Sequence, residues 1–276
     1  MSHQRLEHVG VCRYEDVFLH ELLHGRESKL VVCIVMEFCE KGDLAGAIGH
    51  HRDRRTPIPE RLLSKWMHDM CQALKYIHAA GVLHRDLKSP NIFVTRDGAV
   101  KLGDFGLARQ VTGDIRSRVG TPCYLAPEVL QSDSYAEPAD VWGCGCIAFE
   151  AVTLSFLWDR KGLLAVQVLS EAVNEAKLPS LYSLEFRTLV TQMLDKTPHR
   201  RPSVSACISV FARCLAGNGG RGSSRQGPAD EQQPDVRRVG GEGGGKPRIR
   251  KRDEAMNGVH AAVEAGGLLW VRVVLL

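Results

Sequence analysis

Residues 60–79 place Leu62, Leu63, Trp66, Met67, Met70, Leu74 and Ile77 on one face at helical spacing, which predicts a long amphipathic helix packed on a core. A polar stretch follows, His84-Arg85-Asp86-Leu87-Lys88-Ser89-Pro90-Asn91. Beyond it comes a short hairpin pattern: Ile92 to Thr95, a turn at Arg96, Asp97 and Gly98, then Ala99 to Gly103. A charged loop held between rigid elements is where side chains are positioned for chemistry. The rest of the chain has to be arranged around this segment.

Upstream, residues 9–18 and 29–36 read as strands joined by a polar loop at 25–28. After about Asp43 the pattern is mainly helical, with further helices expected near 138–152, 162–175, 184–195 and 203–215. A small β region followed by a large α region implies an α+β fold with a cleft where the two meet. From Gly217 the composition shifts, and the stretch to Gly245 is dominated by glycine with Ser, Gln, Pro and charges. It has too little apolar surface to offset its ordering entropy. The boundaries expected are therefore 1–42, 43–216 and 217–276, the last without regular structure. Its basic cluster, Lys246, Arg248, Arg250, Lys251 and Arg252, reads as a solvated charge run, with a nuclear-localisation or anionic-surface role as the alternative.

Composition excludes several classes. A net charge of +4 over 276 residues gives no argument for nucleic acid or membrane as partner. No run reaches the roughly 18 to 20 apolar residues that span a bilayer, and the first residues lack the apolar block of a signal peptide. Nine cysteines without a CxxC pair read as reduced core thiols of an intracellular protein, with a disulfide or zinc framework as the alternative; the location expected is cytoplasmic, with the nucleus as the alternative.

Three motifs stand in order: His84 to Asn91 as H-R-D-L-x-x-x-N, Asp104-Phe105-Gly106, and Ala126-Pro127-Glu128. Together, in a loop–hairpin–loop context, they closely resemble the protein kinase family over about residues 6–216. The resemblance implies a kinase-like α+β fold with a truncated small β lobe and a complete, mainly helical large lobe. It implies ATP and Mg²⁺ as cofactors, with Asp86 orienting the substrate hydroxyl and Lys88 reaching the transferring phosphate. Asn91 and Asp104 would supply the hard oxygen ligands that Mg²⁺ prefers. Lys88 and Gly120-Thr121-Pro122-Cys123-Tyr124-Leu125 resemble the serine/threonine branch, Thr121 bonding to Asp86 and Lys88. Protein substrates follow, and small-molecule phosphotransfer is disfavoured.

At the adenine end, Met36-Glu37-Phe38-Cys39-Glu40-Lys41-Gly42-Asp43-Leu44 resembles the family's strand, hinge and first helix start. Backbone groups of Glu37 and Cys39 would meet adenine, Met36 would stand at the back of the pocket and Phe93 under the ring. Asp43 would contact ribose, or serve as a helix N-cap, or both. Ser117 is a candidate phosphosite for an upstream kinase or for self-phosphorylation, with Arg85 as its partner; an unmodified loop serine is the alternative. As structural anchors the resemblance implies a Glu128–Arg201 pair, Asp140 beneath the catalytic loop, and Phe105, His84 and Tyr14 in an internal column. The wording of these motifs is most similar to the NIMA-related kinases.

A complete kinase opens with a glycine-rich loop, a lysine-bearing strand and a helix whose glutamate pairs with that lysine. No G-x-G-x-x-G precedes the catalytic loop here, and Lys29 and Lys41 stand at other places. His8, Val9 and Gly10 resemble the residues just after that helix. The expectation is a two-strand hairpin with an unpaired edge, a disordered or sticky N-terminal region and little ATP turnover. A kinase-derived protein-binding module is the alternative to an enzyme.

Overall fold

The computed structural model describes residues 6–24, 27–104, 124–132, 135–157, 178–217, 258–264 and 267–275, with 22–24, 27–29 and the last two segments by their backbone alone. In chain order its elements are β1 (Tyr14–His24), β2 (Glu27–Glu37), α1 (Leu44–Asp53), α2 (Glu60–Ala79), β3 (Ile92–Val94), β4 (Val100–Leu102), α3 (Pro127–Ser132), α4 (Glu137–Thr153), α5 (Leu184–Met193), α6 (Val204–Ala216), β5 (Gly258–Glu264) and β6 (Gly267–Leu275). Turns of 3-10 helix stand at Ser89–Asn91 and Pro198–Arg200. The helix expected at 162–175 lies outside the described residues. Two compact units result, Met1–Arg13 with Cys39–Asn218, and Tyr14–Phe38 with Gly219–Leu276.

The helical unit is organised by α2 and α4. The apolar face of α2 buries Leu63, Trp66, Met67, Met70, Leu74 and Ile77 as its periodicity predicts, while Leu62 is only partly buried. α4 is buried from Ala139 to Val152, as a helix apolar on all sides must be. Two of its glycines set how closely neighbours approach. A Cβ on Gly143 would lie 2.9 Å from the Cβ of Leu87 in the polar loop, and one on Gly145 would lie 3.0 Å from the Cβ of Met193 in α5. Phe186 of α5 and Phe211 of α6 close the core with ring centroids 5.6 Å apart. Cys71 and Cys144 bring their sulfurs to 4.0 Å; a hydrogen bond to Cys71 and burial push the Cys207 thiol up. None of the eight described cysteines is joined in a disulfide.

Caps explain where the helices start. Ser183 and Ser203 accept from Phe186 and Ala206 N–H at 3.2 Å each, and Asp43 accepts from Gly46 N–H at 2.7 Å. The hairpin β3–β4 pairs Ile92 with Leu102, Phe93 with Lys101 and Val94 with Val100. Val11 bridges to Leu102 and Asp43 to Phe93.

The smaller unit differs from expectation in three ways. The first strand runs over Tyr14–His24 rather than 9–18, because residues 11 and 12 are bonded to the hairpin strand β4 instead. The segment after 216 is not without regular structure throughout, since it ends in strands β5 and β6. The glycine-rich composition of 217–245 does not extend to this apolar end. Finally, β2 is not an edge strand: the sheet order is β1-β2-β6-β5, all antiparallel.

Packing at Gly143 yields a matched pair of expectations. Gly143→Ala is expected to lower unfolding free energy by about 1–3 kcal/mol through overpacking against Leu87. Gly49→Ala in α1, where no atom lies within 4 Å of the added Cβ, is expected to raise it by about 0.5–1 kcal/mol through helix propensity. Urea unfolding of both variants checks the contrast.

Candidate active site

The polar loop is held from beneath by one buried carboxylate. Asp140, in the first turn of α4 and fully buried, accepts from the backbone N–H of His84 at 3.0 Å and of Arg85 at 3.1 Å. It also accepts from His78 Nε2 at 2.8 Å and from the Tyr135 hydroxyl at 2.6 Å. Burial by itself would raise its pKa, but the His78 hydrogen bond, the neighbouring His84, the Tyr135 hydrogen bond and the backbone donor hold it below the ordinary aspartate value. Arg85 has φ 68° and Asp104 φ 61°, a left-handed conformation that non-glycine residues adopt only when the surroundings enforce it. The paired N–H donations to Asp140 are what enforce it at Arg85.

Over this floor the loop brings together three of the expected residues. Lys88 Nζ donates to Asp86 Oδ2 at 2.8 Å, and Asn91 Nδ2 donates to Asp86 Oδ2 at 2.9 Å and to its carbonyl at 2.8 Å. Those donations fix the amide of Asn91 so that its other polar atom is an oxygen. Gly103 N–H donates to the Asn91 carbonyl at 2.9 Å, which tethers Asp104, one residue further and 5% exposed, to the same loop. A Cβ on Gly103 would collide with the Phe93 ring, so glycine is required where β4 passes Phe93 on its way to Asp104.

The donor set fits Mg²⁺. Asn91 and Asp104 offer oxygen, the donor class that ion selects. Among the described residues no group of three or more His, Cys, Asp or Glu side chains is arranged to hold a metal alone.

Other expected residues have the following places. Arg201 makes a bidentate pair with Glu128 at 2.6 and 2.7 Å, donates to the Pro138 carbonyl at 2.8 Å, and lies over the Trp142 ring at 5.0 Å. His84 is fully buried, and burial, the largest influence, holds its pKa below 6.5. Asp43 is the N-cap of α1, half-buried, its carboxyl pushed up by burial. Phe93 and Cys39 are buried within the helical unit. Met36 and Glu37 end β2 in the other unit, opposite Trp270 and Leu269, and Tyr14 begins β1 opposite Met36. Thr121, Ser117 and Phe105 lie outside the described residues.

Sequence reasoning missed a second buried network. Ser89 Oγ lies 3.0 Å from the Tyr124 hydroxyl, which donates to Glu150 Oε2 at 2.5 Å. Arg52 reaches the other oxygen of Glu150 at 3.5 Å and lies over Phe156 at 5.6 Å. Burial first, and then the Glu150 charge, push the Tyr124 phenol far up. A lone glutamate in the apolar run Gly143 to Val152 was the available signal, since such a charge needs partners.

Between the two networks, Arg85, Asp86, Lys88, Tyr124, Leu125 and Tyr135 line a small, solvent-open cleft with the Asp86–Lys88 pair in its wall. A carboxylate, a lysine and an amide thus stand together on one loop over an aspartate-anchored floor, in the segment whose motif resembles the protein kinase catalytic loop. The model of the protein kinase domain matches residues 1–210, and the chain belongs to that family. Among curated proteins it is similar to the serine/threonine-protein kinases Nek1 of Mus musculus (33% identical over 208 residues, 74% of this chain and 16% of that protein) and Nek3 of Oryza sativa subsp. japonica (36% over 218, 75% and 35%). It is also similar to Nek4 of Mus musculus (37% over 210, 74% and 25%). The chain spans well under half the length of these NIMA-related relatives.

Two expectations test this geometry. Arg201→Ala leaves Glu128 without its bidentate partner and is expected to cost about 3–5 kcal/mol in chemical unfolding. Because the folded pKa of His84 is lowered, the unfolded chain binds the extra proton below 6.5. Stability is therefore expected to be fully present above 6.5 and to fall as pH drops through that value. Unfolding between pH 8 and 5 reads the slope, which His84→Gln should flatten.

Proposed function

We propose that this chain transfers the γ-phosphate of ATP to serine or threonine hydroxyls of protein substrates. The observation that carries the reading is the Asp86 carboxylate held at once by Lys88 and Asn91, 2.8 and 2.9 Å away. Mg²⁺, when bound, neutralises phosphate charge and orients the triphosphate. Asn91 and Asp104 would be its ligands.

The remaining work falls to the chain itself. Asp86 Oδ2, pointed by two donors, accepts or orients the proton of an incoming hydroxyl. Lys88, two residues on, places its ammonium beside that hydroxyl and stabilises charge on the phosphoryl oxygens. Asp140 keeps the loop backbone in the one conformation that aims both groups. By resemblance, Glu37 and Cys39 would meet the adenine edge through their backbones, with Met36, Asp43 and Phe93 around the nucleoside. Thr121 would orient Asp86 and Lys88, and phosphorylation of Ser117, answered by Arg85, would order the loop between. The NIMA-related relatives, each named a serine/threonine-protein kinase, support the hydroxyl class.

Radiolabel transfer from ATP to a serine- and threonine-containing protein such as casein, dependent on Mg²⁺, tests the reading. Asp86→Asn is expected to lower the rate about 10²–10⁴-fold, and Lys88→Met about 10²–10³-fold. Transfer that persists unchanged in Asp86→Asn would remove it. No transfer by the parent chain, with Mg²⁺-dependent nucleotide binding also absent, would favour a protein-binding module instead.

A further inference from the structure

Strands β1 and β2 differ in character. β1 exposes Val17 and Leu19, but between and beside them it also exposes Glu15, Asp16, His20 and Glu21, charges of the kind by which an edge strand resists further pairing. β2 reads Leu-Val-Val-Cys-Ile-Val-Met from 30 to 36, and Val31, Cys33, Ile34, Val35 and Met36 are all buried. Consecutive buried residues mean both faces are covered, which is the signature of an interior strand. An interior strand needs a neighbour on each side, and β1 supplies only one.

The second neighbour comes from the far end of the chain. Residues 31–37 pair antiparallel with Leu275 to Leu269, seven partners without a register shift, and β5 covers the other edge of β6. Segment 267–275 is itself apolar except for Arg272, so its composition matches the strand it meets. We propose that the β2 edge is a strand-accepting surface and that residues 258–275 of the same molecule are its ligand, a built-in β-hairpin whose removal opens the edge to strands of similar chemistry. Covalent connection gives the chain's own hairpin an advantage over a second copy at ordinary protein concentration. Arg272 is the one charged residue of segment 267–275, so a one-residue slip would carry it to the other face of β6.

Cys33 makes the proposal testable in the full-length chain, because its register partner is Val273. Directly opposed residues of an antiparallel pair fall within the Cα separation a disulfide tolerates. In Val273→Cys, mild oxidation is expected to join Cys33 to the introduced thiol within one molecule, read by non-reducing electrophoresis and peptide mass mapping. Val274→Cys, one position along and opposite Val32, is expected to cross-link to Cys33 at least tenfold less. Linkage between two molecules would overturn the assignment to the chain's own hairpin, and equal or absent linkage in the two variants would overturn the pairing. As a second readout, amides of 31–37 in the unmodified chain are expected to exchange slowly with deuterium. Fast exchange there would likewise overturn it.

Discussion

The Asp140 carboxylate is the constraint on which the site rests. Taking such a group out of water costs several kcal/mol unless it is fully engaged, and here four donors engage it: two backbone amides, an imidazole and a phenol. The two amides belong to consecutive residues, the second of which is Arg85 in a left-handed conformation. The charge thereby converts a locally unfavourable backbone into the stable one. With Arg85 fixed, Asp86 and Lys88 follow within three residues. The chemistry of the loop is thus inherited from a group that never touches solvent.

α4 performs this service twice. Ten residues beyond Asp140 the same helix carries Glu150, buried and joined through Tyr124 to Ser89. The two carboxylates reach opposite ends of the segment His84 to Asn91. Between them, Gly143 lets Leu87 settle against the helix without an intervening methyl group. A rigid apolar helix with two internal charges is therefore a template for the loop above it, and the loop itself needs little intrinsic order.

Much of this was legible from residues alone. The periodicity of 60–79, the hairpin around Gly98 and the wording of His84 to Asn91 are local signals, and the structure places the corresponding elements at those positions. The Glu128–Arg201 pair was legible only through resemblance, since 73 positions separate the partners. The Ser89–Tyr124–Glu150 chain was missed because no local pattern announces which tyrosine will meet a buried acid. The first strand was placed too early because apolar residues at 9 and 11 alternate as a strand would, while residues 11 and 12 are recruited by β4. The terminal strands were missed because the glycine-rich composition of 217–245 was extended to the whole of 217–276, and nothing local marks 267–275 as the partner of residues 31–37.

The sheet of the smaller unit also has a consequence for how the polypeptide is born. More than 230 positions separate Glu37 from Leu269, which it faces, and closing a loop of that size costs roughly 5 kcal/mol of chain entropy. During synthesis the entire helical unit leaves the ribosome before the strand that β2 awaits exists. The apolar ribbon at residues 30–36 must stay uncommitted until residues 267–275 have been made. The aggregation-exposed interval falls between the synthesis of these two segments.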